Sequence, residues 1–264
     1  MCELLAMSSS VPERLNLSLQ LLASHGDKQH GTNDGWGVAY YQDQDVALFR
    51  EPQGAGNSRL LEFLRENGPE TNIAISHIRR ATIGARQLAN TQPFVRAMAG
   101  RMHTFAHNGN LVQITKNHDA SFSGCVFQPI GETDSEQAFS YLLSLLQQSP
   151  QQATSTVEQR AQVFRQFCAE MRRLGPANFI YSDGEFVFVH AHRRIQRESG
   201  MIAPPGFWML ERHCLNLNSS VDVENRRTSR DVILVASVPL TQEAWIPLAE
   251  AELLILHKGK RLSI

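Results

Sequence analysis

The stretch that decides the fold is residues 157–190, VEQRAQVFRQFCAEMRRLGPANFIYSDGEFVFVH. Its first half carries apolar residues at helical spacing as far as Leu174, and Gly175-Pro176 then ends the predicted helix. Its second half, from Asn178 to His190, has two arms rich in β-formers around Asp183-Gly184, which is a typical hairpin turn. The stretch therefore predicts a helix that is followed directly by an antiparallel hairpin.

The chain on either side of this stretch extends the same pattern. Residues 133–148 predict a second helix from the spacing of their apolar residues, and Ser58 predicts the cap of a short third one. Because β-rich ends flank a central helical pair, we predict an α+β fold with largely antiparallel sheets and helices packed outside. The predicted strands are Trp36–Tyr41, Val46–Phe49, Asn72–Ser76, one that ends near His107, Phe207–Glu211, Val232–Val238 and Glu252–His257.

Composition narrows the class of protein. With 264 residues, 42% of them hydrophobic and 19% charged, the chain predicts a single domain over residues 2–264. It has no run of about 18 apolar residues that could span a bilayer. Its net charge of −1, without a dense basic block, offers nucleic acid little to bind. We therefore expect neither a membrane nor a nucleic acid as partner.

The segment Leu217–Arg230 is rich in Asn, Ser and Arg. We interpret it as a surface loop within the domain.

The cysteines indicate the redox compartment. Cys2, Cys125, Cys168 and Cys214 lie far apart and form no C-x-x-C pair, which argues against a zinc knuckle and against a disulfide framework. The first residues lack the basic segment and the unbroken apolar run of a secretory signal. The sequence therefore predicts a reducing, cytoplasmic location.

Cys2 is a candidate nucleophile. Its small side chain permits removal of Met1, and the mature chain then begins with a thiol beside its own α-amine. Because the ordinary pKa values are about 8.5 for the thiol and about 7.7 to 8.0 for the amine, transfer of the proton costs on the order of 1 kcal/mol. The alternative is that Cys2 is a small buried residue at the start of the chain.

The run His77–Thr82 places charge at the end of a strand that otherwise predicts burial. The guanidinium of Arg79 suits a substrate carboxylate, and the hydroxyl of Thr82 can assist it. Since these two residues would face opposite ways on a regular strand, this interpretation requires the chain to bend after Arg79. The alternative is a solvated strand end with a structural ion pair.

The run His107-Asn108-Gly109 has two interpretations. Asn-Gly after a β-run is typical of a hairpin turn. The same pair also suits an oxyanion hole, because Asn108 offers a side-chain amide and Gly109 an uncrowded backbone N–H.

A fourth motif, Thr133–Glu136, directly precedes the first central helix. The T-x-x-E spacing predicts a capping box between Thr133 and Glu136. Asp134 stands in the first helical turn, where the helix dipole favours a carboxylate. The same position could present that carboxylate to a substrate ammonium.

Together and in this order, the four motifs resemble those of the class II glutamine amidotransferases. These are N-terminal-nucleophile hydrolases that free ammonia from glutamine, and the match runs nearly end to end. Asp34-Gly35-Trp36-Gly37 and Pro239-Leu240-Thr241 are similar to the stand-alone bacterial branch often called YafJ-like.

The resemblance implies a four-layer αββα sandwich of two antiparallel sheets, and it implies a reaction. By it, Cys2 attacks the γ-carboxamide carbon while Asn108 and Gly109 hold the oxyanion. A γ-glutamyl thioester forms, ammonia leaves, and water activated by the α-amine releases glutamate. No metal and no organic cofactor is implied.

The resemblance also assigns substrate contacts. Arg79, assisted by Thr82, pairs with the α-carboxylate, and Asp134 binds the α-ammonium. The chain departs from the sugar-phosphate-type members at Arg80 and Ile83, where those proteins have tryptophan and histidine. We transfer no role to these two positions.

The sequence leaves the fate of the ammonia open, because we expect no attached acceptor or synthase domain within its 264 residues. Either a partner enzyme accepts the ammonia, or the chain hydrolyses glutamine or a larger γ-glutamyl compound. The alternative from another class is a non-catalytic subunit that binds a γ-glutamyl ligand. A peptidase of the same superfamily suits Arg79 and Asp134 less well than a free amino acid does. We interpret the pairs His103 with His107 and His190 with His192 as structural and not as metal ligands, since neither has a third ligand nearby.

Overall fold

The computed structural model describes residues 2–15, 34–81, 84–112, 114, 126–148, 155–215 and 229–264. Thr82, Ile83, Cys125 and residues 217–228 of the predicted loop lie outside the described residues. Residues 229 and 230 of the predicted loop belong instead to a strand. They pair with Leu215 and Cys214 of the neighbouring strand.

The first sheet has seven antiparallel strands with the N-terminal strand at its centre. Its strands are β1 (Glu3–Glu13), β2 (Gly35–Gln42), β3 (Asp45–Glu51), β4 (Thr71–Arg79), β11 (Trp208–Leu215), β12 (Ser229–Ala236) and β13 (Ile246–Pro247). They lie in the order β13-β11-β12-β1-β4-β2-β3. The position of β1 between β12 and β4 fixes the start of the chain inside the sheet.

The second sheet has six antiparallel strands and contains the predicted hairpin. Its strands are β5 (Phe94–Met98), β6 (Arg101–Gly109), β7 (Ala177–Ser182), β8 (Val187–His190), β14 (Leu253–His257) and β15 (Lys260–Leu262). They lie in the order β15-β14-β8-β7-β6-β5. β7 and β8 form the hairpin, with Gly184 at a φ of 87° in its turn. The short strands β9 (Arg194–Ile195) and β10 (Ile202–Ala203) pair separately.

The helices cover the outer faces of the two sheets. α1 (Arg59–Asn67), α2 (Asp134–Gln148) and α3 (Val157–Met171) match the three predicted helices. α1 begins as predicted, because the Ser58 hydroxyl accepts the N–H of Leu61 at 3.0 Å. α1 packs Leu61 on the outer face of the first sheet, and α2 and α3 pack Phe139 and Phe167 on the outer face of the second. The predicted four-layer αββα sandwich is confirmed.

The inner faces of the two sheets form a third apolar layer, which includes Leu4, Ala106 and Ile180. Glu3 pairs with Ile78 of β4, so the register places Cys2 opposite Arg79. Because side chains alternate along a strand, Cys2 and Arg79 share the inner face with Leu4. The inter-sheet layer therefore changes from apolar to polar at the end where the chain starts. None of the helices among the described residues is long and apolar enough to cross a membrane.

Candidate active site

The Cys2 thiol lies against the end of β4. Its Sγ accepts the backbone N–H of Arg80 at 3.2 Å and donates to the Arg80 carbonyl at 3.3 Å. Cys2 is partly buried. These backbone contacts hold the sulfur atom at the polar end of the inter-sheet layer.

Several groups act on the thiol of Cys2. Burial raises its pKa above the ordinary value, while the Arg80 N–H and the charges of the amino terminus and of Arg79 lower it. The charge of Asp134 raises it. The thiol therefore stays mostly protonated near neutral pH, and a nucleophilic reaction needs a base that takes its proton.

Asn108 connects the second sheet to the nucleophile strand. It lies near the end of β6, and its Nδ2 donates to the Cys2 carbonyl at 2.8 Å and to the Ser237 hydroxyl at 3.2 Å. Asn108 and Gly109 pair with Asn178 and Ala177 of β7. The hairpin-turn alternative for Asn108-Gly109 is therefore wrong, because both residues belong to a strand.

Close packing requires glycine at position 109. A Cβ atom there would collide with the Pro176 carbonyl oxygen and would lie 2.5 Å from Nε2 of His107. The preceding carbonyl, that of Asn108, accepts Nδ2 of Asn178 at 2.8 Å. The backbone at Asn108 and Gly109 is thus fixed from both sides.

Arg79 ends β4 as the sequence predicts, and it is buried. Its guanidinium donates to the carbonyl oxygens of Asp34 at 3.4 Å and of Gly84 at 3.0 Å. Burial lowers the pKa of the guanidinium, whereas the charges of Cys2 and Asp34 raise it. The alternative of a solvated strand end is wrong for Arg79, although it fits the exposed Arg80.

Asp34 holds the turn that supports Arg79. Its carboxylate accepts the N–H of Ala81 at 2.8 Å and pairs with Nε of Arg86 at 2.5 Å. Its backbone N–H donates to the Arg79 carbonyl at 3.2 Å. The chain leaves the sheet after Arg79, as the carboxylate interpretation of this motif requires.

Asp134 is buried at the first turn of α2. Its Oδ2 accepts the N–H of Leu111 at 2.7 Å, and its Oδ1 accepts the N–H of Ser135 at 2.8 Å. These bonds orient the carboxylate and stabilise its charge. Since its charge raises the pKa of the Cys2 thiol, Asp134 belongs to the same end of the molecule.

The predicted capping box at α2 is only half correct. The Thr133 hydroxyl accepts the N–H of Glu136 at 3.2 Å, as a cap does. The carboxylate of Glu136, however, accepts the N–H of Gly131 at 2.7 Å and pairs with Arg96 at 2.5 Å. An ion pair with β5 has replaced the reciprocal bond, because Arg96 offers a charged donor at the same place.

Ser237 is a site residue that sequence reasoning missed. Its N–H donates to the Leu4 carbonyl at 3.0 Å, and its hydroxyl accepts the N–H of Leu4 at 3.1 Å in addition to the amide of Asn108. The available signal was a hydroxyl residue directly after the apolar run of β12. Ser237 therefore joins the nucleophile strand to Asn108.

His77 is buried two residues before Arg79 on the same strand. Among the described residues, neither of its ring nitrogens has a hydrogen-bond partner. Burial lowers its pKa to about 3, and the charges of Arg79 and His107 act in the same direction. His77 is therefore neutral at physiological pH.

The other histidines that the sequence highlighted are bonded within the fold. Nδ1 of His103 lies 2.7 Å from the Tyr181 hydroxyl, and Nδ1 of His107 lies 2.9 Å from the Ser135 hydroxyl. No group of three or more His, Cys, Asp or Glu side chains suited to a metal ion occurs in the part of the chain that the structure describes.

Two antiparallel sheets packed face to face between helices, with a cysteine at the start of a central strand, define the fold of the N-terminal-nucleophile hydrolases. Residues 1–264 match the family described as glutamine amidotransferases class-II. The chain belongs to this family. The expected resemblance is thereby confirmed.

Relatives of known sequence and structure agree with this assignment. YafJ of Escherichia coli strain K12 is 32% identical over 267 residues, which cover 99% of this chain and all of that protein. A crystal structure described as a predicted glutamine amidotransferase from Pseudomonas aeruginosa is 26% identical, with a TM-score of 0.67 and full coverage of both chains. Glutamine phosphoribosylpyrophosphate amidotransferase from Bacillus subtilis has a TM-score of 0.60 over 99% of this chain and 48% of that one. At 18% identity it shows the shared fold alone.

Proposed function

We propose that this chain hydrolyses the γ-amide of glutamine or of a γ-glutamyl compound through a thioester on Cys2. The observation that carries the proposal is the meeting of Cys2 and Asn108, which are 106 positions apart and joined by a hydrogen bond of 2.8 Å. The charges of Arg79 and Asp134 act on the same thiol. A nucleophile, an amide donor and charges of both signs are the groups that attack on a glutamine side chain requires.

The proposed attack begins with the chain from which Met1 has been removed. The α-amine of Cys2 accepts the thiol proton while Sγ forms a bond to the γ-carbonyl carbon. The negative charge that develops on the carbonyl oxygen is stabilised by Nδ2 of Asn108 and the N–H of Gly109. Both amide hydrogens of Asn108 have acceptors in the free protein, so this step exchanges one of those bonds for the oxyanion.

Collapse of the tetrahedral species breaks the carbon–nitrogen bond. The protonated α-amine returns its proton to the leaving nitrogen, and ammonia or an amine departs from a γ-glutamyl thioester. The α-amine then accepts a proton from water as the water attacks the thioester. Collapse of the second tetrahedral species breaks the carbon–sulfur bond, and the protonated α-amine returns its proton to the departing sulfur, which gives glutamate and the free thiol.

Substrate recognition in this proposal uses charge. The guanidinium of Arg79 pairs with the α-carboxylate, assisted by Thr82, and the oriented carboxylate of Asp134 binds the α-ammonium. Two opposite charges held at fixed positions favour a free amino acid head over a peptide. Membership of the family supports glutamine as the substrate.

The ammonia has two destinations in this proposal. A partner enzyme in the cytoplasm accepts it, or it is released to solvent together with glutamate. Comparison of ammonia yield between the isolated chain and a cell extract distinguishes them. A chain that works alone releases ammonia and glutamate in equal amounts.

A non-catalytic subunit that binds a γ-glutamyl ligand is the second candidate. It is favoured by the bonding of Asn108, both of whose amide hydrogens are already engaged. The mass of the intact protein purified from cells distinguishes the two candidates. Retention of Met1 ties up the α-amine as an amide and favours the binding subunit, whereas its removal favours the enzyme.

The direct test is capture of the thioester. The processed protein is mixed with glutamine, quenched in acid within milliseconds to seconds, and digested for mass spectrometry. We expect a γ-glutamyl adduct on the N-terminal peptide and none on the peptide that contains Cys168, whose thiol is buried in the helix layer. Glutamate release without an adduct on Cys2 would contradict the mechanism. No release from any γ-glutamyl amide would contradict the activity.

A further inference from the structure

The segment that contains β9 and β10 contacts both sheets at the Cys2 end of the molecule. Asn178 of β7 donates to the Arg193 carbonyl at 2.8 Å and accepts the N–H of His192 at 2.7 Å. On the other side, Arg197 forms an ion pair with the buried Glu3, the residue after Cys2. The segment is therefore attached to β7, the neighbour of the strand that carries Asn108, and to β1 directly after Cys2.

Arg194 lies between these two attachments and is buried. Its Nη1 donates to the Ser237 carbonyl. The hydroxyl of the same serine accepts the amide of Asn108 at 3.2 Å, and that amide also donates to the Cys2 carbonyl at 2.8 Å. A continuous series of hydrogen bonds thus runs from the guanidinium to both groups that the proposed reaction needs.

We propose that Arg194 is a positioning residue, which holds Ser237 and through it Asn108, and whose positive charge favours the thiolate of Cys2. The proposal rests on the assignment of Cys2 as the nucleophile. Ser237 cannot shift away from Leu4 or Asn108 while its carbonyl is bound to a buried guanidinium. The charge of Cys2 raises the pKa of Arg194, which agrees with attraction between the two groups.

The groups that face the Cys2 thiol come from four places. The amino terminus and Arg79 of β4 favour the thiolate, whereas Asp134 of α2 opposes it. Because the charge of Cys2 raises the pKa of Arg194 of β9, the charge of Arg194 by reciprocity attracts the thiolate. The charge of Glu3, like that of Cys2, raises the pKa of Arg194, whereas the charge of Arg197 lowers it. Removal of the Arg194 charge should therefore raise the pH at which Cys2 becomes reactive.

The test is the pH profile of Cys2 alkylation in the processed full-length protein. Iodoacetamide labels the protein at a series of pH values, and mass spectrometry quantifies label on the N-terminal peptide alone. For Arg194→Gln and Arg194→Met we expect the midpoint to rise by about half a pH unit or more. For Arg194→Lys, which keeps the charge, we expect a midpoint close to that of the wild type.

The matched control is Arg193→Gln. It removes the same charge one residue away, from a half-exposed side chain that pairs with Glu250 at 2.9 Å. We expect its alkylation midpoint and its kcat to equal those of the wild type. The measurement needs no glutamine, so a failure of this inference is separable from a failure of the proposed function.

Turnover supplies the second readout. If the chain releases glutamate, the neutral variants should lose about 10- to 100-fold in kcat with little change in KM, because Asn108 is displaced by a fraction of an ångström. The Lys variant should recover only part of this loss, since an ammonium cannot reproduce the guanidinium fork. Wild-type midpoint and kcat in a folded neutral variant would overturn the proposal. If neither neutral variant unfolds cooperatively, the test relies on Arg194→Lys. A wild-type kcat in that variant would overturn the proposed positioning role of Arg194.

Discussion

The two ends of the inter-sheet layer differ in the polar groups that they carry. At one end lie Cys2, Arg79 and Asn108. At the other end lies a cavity of about 690 Å³, lined by residues that include Tyr41 and Asp183. Cys2 is not among the residues that line this cavity.

The polar groups of the cavity end bond to one another. Oδ2 of Asp183 pairs with Arg160 at 2.6 Å, and Oδ1 accepts the N–H of Phe186 at 2.9 Å. The Tyr41 hydroxyl donates to the Ser182 carbonyl at 2.9 Å. Such groups hold the fold together, because a carboxylate with a guanidinium partner has its charge compensated within the protein. The described hydrogen bonds of the Cys2 thiol are with the backbone of Arg80 alone.

The largest expected effect comes from the nucleophile. Cys2→Ala should fold normally and release no detectable glutamate, because no other group can form the thioester. Cys168→Ala is the matched control, since its thiol lies in the core formed by the helices and the second sheet, and it should keep its kcat. Coupled detection of glutamate, with thermal unfolding of both variants, checks this. Glutamate release at the wild-type rate by Cys2→Ala would show that Cys2 is not the nucleophile.

The second prediction uses two asparagines that bond to opposite ends of β1. Asn108 donates to the Cys2 carbonyl at 2.8 Å, and Asn72 donates to the Ser9 carbonyl at 3.0 Å beside the cavity. Asn108→Ala should reduce kcat by about 10²- to 10³-fold through loss of an oxyanion donor. Asn72→Ala removes a similar hydrogen bond and should leave kcat unchanged. Equal kcat values in the two variants would show that Asn108 is only structural.

Much of this fold follows from local sequence. The Asp183-Gly184 turn and the Ser58 cap each act over a few residues, and the structure has both where the sequence predicts them. The helix before Gly175-Pro176 ends at Met171, three residues before the predicted Leu174. The family resemblance pointed to Cys2 and Arg79 for a related reason, because each motif is a short run of adjacent residues. Local signals and short motifs are what one sequence can supply.

The missed features depend on contacts between distant residues. β1 contains Ser8, Ser9 and Ser10, which have modest strand propensity, and it forms a strand because β4 and β12 pair with it on both sides. Ser237 and Arg194 reach the site only through register and the crossing of two sheets. No periodicity in their own neighbourhoods could have indicated that.

The third prediction compares the arginines of the two ends. Arg79→Lys should raise KM for glutamine by about 10- to 100-fold, because a point charge cannot replace a two-pronged bond to the α-carboxylate. Arg101→Lys, at the cavity end, alters only an exposed ion pair with Glu185 at 3.4 Å, and KM should not change. Steady-state kinetics with glutamine measures both. An unchanged KM in a folded Arg79→Lys protein would contradict the proposed pairing of Arg79 with the substrate α-carboxylate.

The smallest expected effect compares two buried histidines. The pKa is lowered to about 3 for His77 near Cys2 and to about 4 for His103 at the cavity end, in both cases chiefly by burial. Because the unfolded chain has histidine pKa values of about 6.5, it binds more protons than the folded chain below that pH. Wild-type stability should therefore be present above about pH 6.5 and should fall as the pH drops below it.

The two histidines differ in what their removal costs at neutral pH. His77→Leu loses no hydrogen bond among the described residues, so its free energy of unfolding at about pH 7.5 should stay within about 1 kcal/mol of the wild type. His103→Leu leaves the Tyr181 hydroxyl and the Met98 carbonyl without their partner, which should cost about 1–3 kcal/mol. Both variants should lose about 2 kcal/mol less than the wild type between about pH 6.5 and about pH 5, because one proton-binding site of the unfolded chain is gone. Urea unfolding at these pH values measures the differences. A neutral-pH cost for His77→Leu as large as that for His103→Leu would contradict the lack of a hydrogen-bond partner for His77 among the described residues.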